Sequence, residues 1–168
     1  MANYLGISVS NPRNKWLAGS AGAMALIVGG LTTWEGNKAK TYDDIAGIAT
    51  VCIGHTGIGV ERGRTYTKDE CEAFLRDDLA EHTTAVLRCV TVPIGKRRYA
   101  AFVLFSYNVG ASAFCNSSLL RKLNAGDVAG ACDGLMAWNK STIDGKLTEV
   151  RGLTRRREYE RTLCLSGL

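Results

Sequence analysis

Between Trp16 and Trp34 the chain carries no charged side chain, and nineteen such residues in a row restrict what it can fold into. The run is close to the ~20 residues a helix needs to cross the hydrocarbon core of a bilayer. Arg13 and Lys15 precede it and no acidic residue does, which orients an inserted segment with its N-terminus in the cytoplasm and the rest of the chain on the far side. With four Gly, four Ala, one Ser and two Thr the run is only weakly apolar, so residence in a membrane is expected to be marginal and reversible. Two other readings stand beside that one: a helix buried in the core, and a secretory signal cleaved at the small-x-small sequence Ala23-Met24-Ala25.

The cysteines point to an oxidising compartment as well. Cys52, Cys71, Cys89, Cys115, Cys132 and Cys164 are even in number and dense for 168 residues, as a disulfide framework requires. No Cys-x-x-Cys pair occurs and there are two histidines, so zinc is not expected. Cys52–Cys71 and Cys132–Cys164 are the expected pairs, leaving Cys89 for Cys115. With 46% hydrophobic residues and no repeat, the chain reads as one folded domain. Its net charge of +5 predicts attraction to polyanions without choosing among nucleic acid, acidic lipid and an anionic cell wall.

Chemistry concentrates in residues 34–57. Glu35 follows Trp34, Asp44 lies nine positions on, and Thr50 six beyond that. Two carboxylates in different surroundings are what glycoside hydrolysis needs, one to protonate the leaving oxygen and one to handle water or attack from the other face of the sugar. The apolar Trp34 suits Glu35 to the first task, and the polar surroundings of Asp44 suit it to the second. Carboxylates at this spacing are also common on solvated surfaces, so spacing alone does not decide. The order Glu35, Tyr42, Asp44, Gly47, Thr50 and Gly54-His55-Thr56-Gly57 resembles the active-site segment of the phage-type lysozymes, glycoside hydrolases of the T-even and lambdoid phages. The weakly apolar run directly ahead of it resembles the signal-arrest-release endolysins, whose uncleaved anchor secretes the enzyme and later leaves the bilayer.

The resemblance covers about residues 34–166. It implies an α+β, mainly helical, two-lobed fold: a small β-sheet lobe, a long connecting helix and a helical C-terminal lobe, behind an N-terminal anchor helix. Residues 1–34 would be the signal anchor and residues 35–168 the catalytic domain. The implied activity is that of an endo-acting muramidase, hydrolysing the β-1,4 bond between N-acetylmuramic acid and N-acetylglucosamine in peptidoglycan during host lysis. Glu35 would be the general acid, with Asp44 and Thr50 handling the water, and no metal or organic cofactor is implied. The implied life history is transient inner-membrane association through residues 16–33, inactivity while tethered, then release into the periplasm as a monomer with no nucleic-acid partner. Tyr107-Asn108-Val109-Gly110 and the serines at 117 and 118 look like the family's cleft-lining segment. Asn108 and Ser118 are therefore substrate-binding candidates, although either serine could instead cap a helix. His55 is expected to support the turn near the site.

Elsewhere, Thr67-Lys68-Asp69-Glu70 has the form of a capping box, and Cys71, Phe74, Leu75, Leu79, Val86 and Cys89 follow the helical period up to a break at Pro93. Residues 99–110 are apolar nearly all round and predict a buried central helix. A short helix over 127–138, a polar loop over 139–153 and a last helix capped by Thr154 complete the chain. Arg155, Arg156, Arg157 and Arg161, interleaved with Glu158 and Glu160, read as a salt-bridged helix face rather than a nucleic-acid site. The enzymatic rival is a lytic transglycosylase, which cleaves the same bond without water and relies on one Glu, so that Asp44 and Thr50 argue against it. The rivals without catalysis are an inactive membrane-anchored wall-binding module and a membrane-permeabilising protein.

Overall fold

The computed structural model describes residues 10–44 and 47–167. Residues 1–9 of the expected anchor region, and Ile45 and Ala46 of the carboxylate stretch, lie outside the described residues.

The uncharged run is not one helix. Pro12–Gly19 form a 3-10 helix, Ser20 is extended, and α1 covers Ala21–Glu35, its first turn capped by the Ser20 hydroxyl accepting from the Ala23 N–H at 3.3 Å. Among the described residues no helix is long and apolar enough to cross a membrane. Ala23, Ile27, Gly30 and Leu31 lie on one face of α1 and are buried with Leu17 in the main core, which is the core-helix reading realised in this state. Gly30 permits the close approach: a Cβ there would stand 2.7 Å from Leu104 Cδ1. Ala25, Val28 and Gly29 face outward.

After Gly36 the chain enters a small antiparallel sheet, β1 (Lys38–Asp43), β2 (Ala49–Cys52) and β3 (His55–Thr56), paired in that order with Tyr42 opposite Thr50 and Thr50 opposite Thr56. Val51, Cys52, Tyr66 and Cys71, with Val60 and Phe74, make a separate minor core. The capping box at Thr67 and Glu70 starts α2 (Lys68–Cys89), ~33 Å long at 1.5 Å per residue. Its beginning packs into the minor core through Cys71 and its end into the main core through Val86 and Leu87, so one rod carries both lobes.

The main core is built around α3 (Lys96–Val109), buried from Tyr99 through Ser106 and covered by α1, α2 and the last helix. Short helices follow: α4 (Ala111–Asn116), α5 (Ser118–Asn124) and α6 (Val128–Asp133). The single helix expected over 127–138 is α6 followed by a 3-10 turn, Gly134–Trp138. The loop expected over 139–153 contains a hairpin, β4 (Lys140–Ile143) with β5 (Lys146–Glu149). Asp144-Gly145 at its tip takes positive φ at both positions, the turn chemistry that two-residue hairpins require. The last helix, α7 (Arg151–Leu165), begins before Thr154, which does not cap it; the Thr154 hydroxyl donates to Glu149 Oε1 at 3.0 Å.

Disulfides Cys52–Cys71, Cys89–Cys115 and Cys132–Cys164 link β2 to α2, α2 to α4 and α6 to α7, the pairing set out from the sequence.

Candidate active site

The end of α1, the small sheet and the end of α3 meet at a cleft. One part, about 210 Å³, is lined by Glu35, Tyr42, Asp44, Ile48, Thr50, Gly54, Thr56, Tyr107 and Asn108. A second part, about 340 Å³, shares Gly54, Thr56, Tyr107 and Asn108 and extends past Asp78, Glu81 and His82. The two together form an elongated, polar trough between the lobes. A trough suits a chain-like ligand better than a compact one.

Glu35 is the last residue of α1, and its side chain is 17% exposed. Its Oε1 accepts from Arg156 Nη1, and Arg156 is itself buried on α7. The indole of the neighbouring Trp34 meets Tyr159 of α7, edge-on at 5.8 Å. The other oxygen of Glu35 lies against Gly54, where a Cβ would stand 2.8 Å from Oε2. Gly54 also has φ +75°, a conformation that disfavours any side chain. Gly54→Ala is therefore expected to lower stability by ~1–2 kcal/mol and to cut activity by ~10-fold or more through displacement of Glu35, measured by thermal melting beside wall hydrolysis.

Asp44 is held by its own turn. Its Oδ1 accepts the Ile48 N–H at 2.9 Å, its backbone N–H donates to Ile48 O, and its carbonyl accepts from Gly47 N–H. Arg62 pairs with Asp43 and donates to the Gly47 carbonyl at 3.2 Å, bracing the same turn. Thr50 is buried on β2, its hydroxyl donating to Ile48 O at 2.9 Å. Burial, and after it the charges of Glu35 and Asp44, push the Tyr42 hydroxyl above its ordinary pKa, and all three residues line the same part of the cleft.

Of the two binding candidates, Asn108 lines both parts of the cleft, and its Oδ1 accepts from Arg157 Nη2 at 3.0 Å. Ser118 is exposed at the start of α5, outside the residues lining the cleft. Its neighbour Ser117 is the cap, accepting from Leu120 N–H at 3.2 Å. His55 has both ring nitrogens engaged, Nδ1 with Asp78 at 2.9 Å and Nε2 with Ile58 O at 3.1 Å, and stacks on Phe74 at 4.0 Å. It ties the sheet to α2. Tyr107 does the same from the cleft floor, its hydroxyl reaching Ile53 O at 2.7 Å and Asp78 at 3.2 Å.

The reading of the α7 arginines as a helix face needs correction. Arg156, Arg157 and Glu160 are 4%, 0% and 0% exposed, and only part of the charge run meets solvent. Leu153, Arg156, Arg157, Glu160 and Cys164 share one face at i, i+3, i+4, i+7, i+11 spacing, but with three of the five charged no apolar period marks that face in the sequence. Arg156 also donates to Leu104 O at 3.2 Å and to Glu160 Oε1, which Arg157 reaches as well. Burial pushes Glu160 up to about 7 against the pull of both guanidiniums, and pushes Arg157 down to about 10.

The family model described as phage lysozyme matches residues 32–160. The SAR-endolysin of Bacteriophage PS119 is 42% identical over 155 residues, 90% of each chain. Among solved structures, the endolysin from Escherichia coli O157:H7 phage FAHEc1 is similar at TM-score 0.76 and 30% identity, covering 84% of this chain and 91% of that one. The muramidase domain of SpmX from Asticaccaulis excentricus is similar at TM-score 0.74 and 28% identity, covering 88% of this chain and 97% of that one.

Proposed function

The chain belongs to the phage lysozyme family, as a glycoside hydrolase of lysozyme type, and from that premise we infer that it is a phage endolysin acting on peptidoglycan as an endo-muramidase. One observation carries the assignment of roles: Glu35 from the end of α1, Asp44 from the turn after β1 and Thr50 from β2 line a single cleft. Glu35 protonates the glycosidic oxygen as the bond to the N-acetylmuramic acid carbon breaks. Asp44, with Thr50, orients a water on the opposite face and takes its proton as the new C–O bond forms. That division of labour inverts the anomeric carbon and calls for carboxyl groups ~6.5–9.5 Å apart in the working complex. Asn108 supplies a hydrogen-bonding group on the cleft wall, and Ser118 has no part in this reading. The net charge of +5 favours approach to an anionic wall.

Mass analysis of fragments released from purified peptidoglycan tests the reaction class. Reducing-end muropeptides that disappear in both Glu35→Gln and Asp44→Asn are the expected result. Anhydro ends that depend on Glu35 alone would identify a transglycosylase instead.

We further propose that residues 16–33 first reside in the inner membrane, with the body in the periplasm and inactive, and that the packing of α1 against α3 follows release. The uncharged composition of the run and the SAR-endolysin name of its relatives support this reading. The structure supplies a clean variant. Ala25 and Gly29 face outward from α1, and a Cβ on Gly29 would meet nothing within 4 Å, so leucines there strengthen the anchor without disturbing the folded enzyme. Ala25→Leu/Gly29→Leu should stay in the membrane fraction and fail to lyse cells, while the detergent-extracted protein, refolded without detergent, matches the parent on isolated walls. Prompt lysis by a membrane-retained variant would refute the tethered-inactive state.

A further inference from the structure

Glu160 is the most completely enclosed carboxylate near the cleft, yet it touches neither trough. Its Oε1 accepts two hydrogen bonds, from Arg156 Nε at 3.2 Å and from Arg157 Nη2 at 2.9 Å. Each guanidinium reaches onward to a different cleft residue. Arg156 Nη1 holds Glu35, and its Nη2 is pinned on Leu104 O at 3.2 Å; Arg157 Nη2 holds Asn108 Oδ1 at 3.0 Å, its plane lying over the Phe105 ring at 4.9 Å. One carboxylate oxygen is thus the fork from which two arms run to opposite functions, the candidate acid and the candidate substrate-binding amide.

Buried ion clusters are often neutral or unfavourable beside apolar packing of equal volume, because desolvation offsets the attraction. Glu160 Oε2 and Arg157 Nε and Nη1 are buried with no protein hydrogen-bond partner among the described residues. Groups kept at such cost are explained by what they hold in place.

We propose that Glu160 is a positioning residue for hydrolysis: its ionised Oε1 sets both guanidiniums, so that Arg156 aims Glu35 and Arg157 aims Asn108 into the cleft. The proposal rests on Glu35 being the general acid. The charged groups facing Glu160 are Arg156 and Arg157 on its own helix and Glu35 from α1, while α3 presents the Asn108 amide and the Phe105 ring. An ionised Glu160 gives both arginines a common acceptor. A neutral residue at position 160 leaves both guanidiniums to Glu35 and frees the arm to Asn108.

The pH dependence has a definite sign. Burial raises Glu160 from an ordinary 4.5 to about 7, so folding takes up a proton, and this group's contribution to stability declines as pH rises from about 4.5 to 7. Activity, which needs the ionised form in the folded enzyme, instead rises with pH around the folded-state value of about 7. A merely structural residue would move both together.

The test is steady-state hydrolysis of soluble glycan chains by the full-length released protein, compared across Glu160→Gln, Glu160→Asp, Asn108→Ala and Glu35→Gln, with melting curves for each. Glu160→Gln should lower kcat/KM by ~10²-fold, with kcat reduced and KM raised together, and should lose the rise in activity near pH 7. Asn108→Ala should raise KM with little change in kcat, and Glu160→Asp should recover part of both parameters. Unchanged kcat and KM in a folded Glu160→Gln, with Glu35→Gln inactive, would overturn the proposal and leave the catalytic assignment standing. An active Glu35→Gln would instead remove the assignment on which it rests. Should Glu160→Gln fail to fold, Arg157→Lys, which keeps the charge but loses the fork between Glu160 and Asn108, decides: a raised KM supports the proposal, and parent-like kcat and KM refute it.

Discussion

Glu35→Gln is expected to reduce turnover of peptidoglycan by ~10²–10⁴-fold, the range over which a positioned general acid contributes. The amide keeps the shape of the side chain but has no acidic proton to give to the departing sugar. The fold should survive, because Arg156 retains Glu160 and the Leu104 carbonyl when its contact with position 35 weakens. The loss should therefore appear in kcat with the melting temperature within a few degrees of the parent. Asp44→Asn should fall in the same range, since the turn that holds Asp44 can still be closed by an amide oxygen accepting the Ile48 N–H. Release of reducing sugar from purified walls, read beside circular dichroism, checks both. Parent-level turnover in either folded variant would remove that residue from the chemistry.

Reduction of the disulfides should have the other large effect. Cys52–Cys71, Cys89–Cys115 and Cys132–Cys164 close loops of 19, 26 and 32 residues. Loop-closure entropy assigns each about 3–4 kcal/mol, and the three together rival the ~5–15 kcal/mol that holds a typical domain folded. Cys52–Cys71 matters most locally. It ties β2, which carries Thr50, to the start of α2, and the minor core beneath the sheet has few residues besides those two cysteines. Full reduction should leave the chain unfolded and inactive at 37 °C. The Cys52→Ser/Cys71→Ser pair should lower stability by about 3 kcal/mol, with the sheet losing amide protection first, as hydrogen exchange would show. Retention of full activity in strong reductant would mean that packing alone holds the sheet lobe.

Much of this molecule could be read before its shape was known, because the relevant physics is local. The capping box at Thr67, the apolar period of α2 and the uninterrupted apolar run of α3 each follow from neighbours within a turn or two. Glu35, Asp44 and Thr50 are near enough in sequence for one helix end and one hairpin to bring them together, and they do share a cleft. Asp144-Gly145 was equally local evidence, for a hairpin in what reads as a polar loop.

The uncharged run shows where local evidence divides. Its composition suits a bilayer and a protein core alike, since both reward the removal of apolar surface from water. The close packing of Gly30 on Leu104 selects the core in the structure described here.

The long helices, the pool of acids and cysteines, and the segment in which the chemistry lies are legible in the chain alone, because all of them depend on spacings of a few residues. What faces Glu35 follows instead from how the helices pack. Arg156 is 121 residues away in the chain, and its charge marks it for the surface until α7 turns it inward onto a buried Glu160. Long-range pairing of this kind depends on how whole helices pack, and a charged side chain is buried only where that packing brings it a partner.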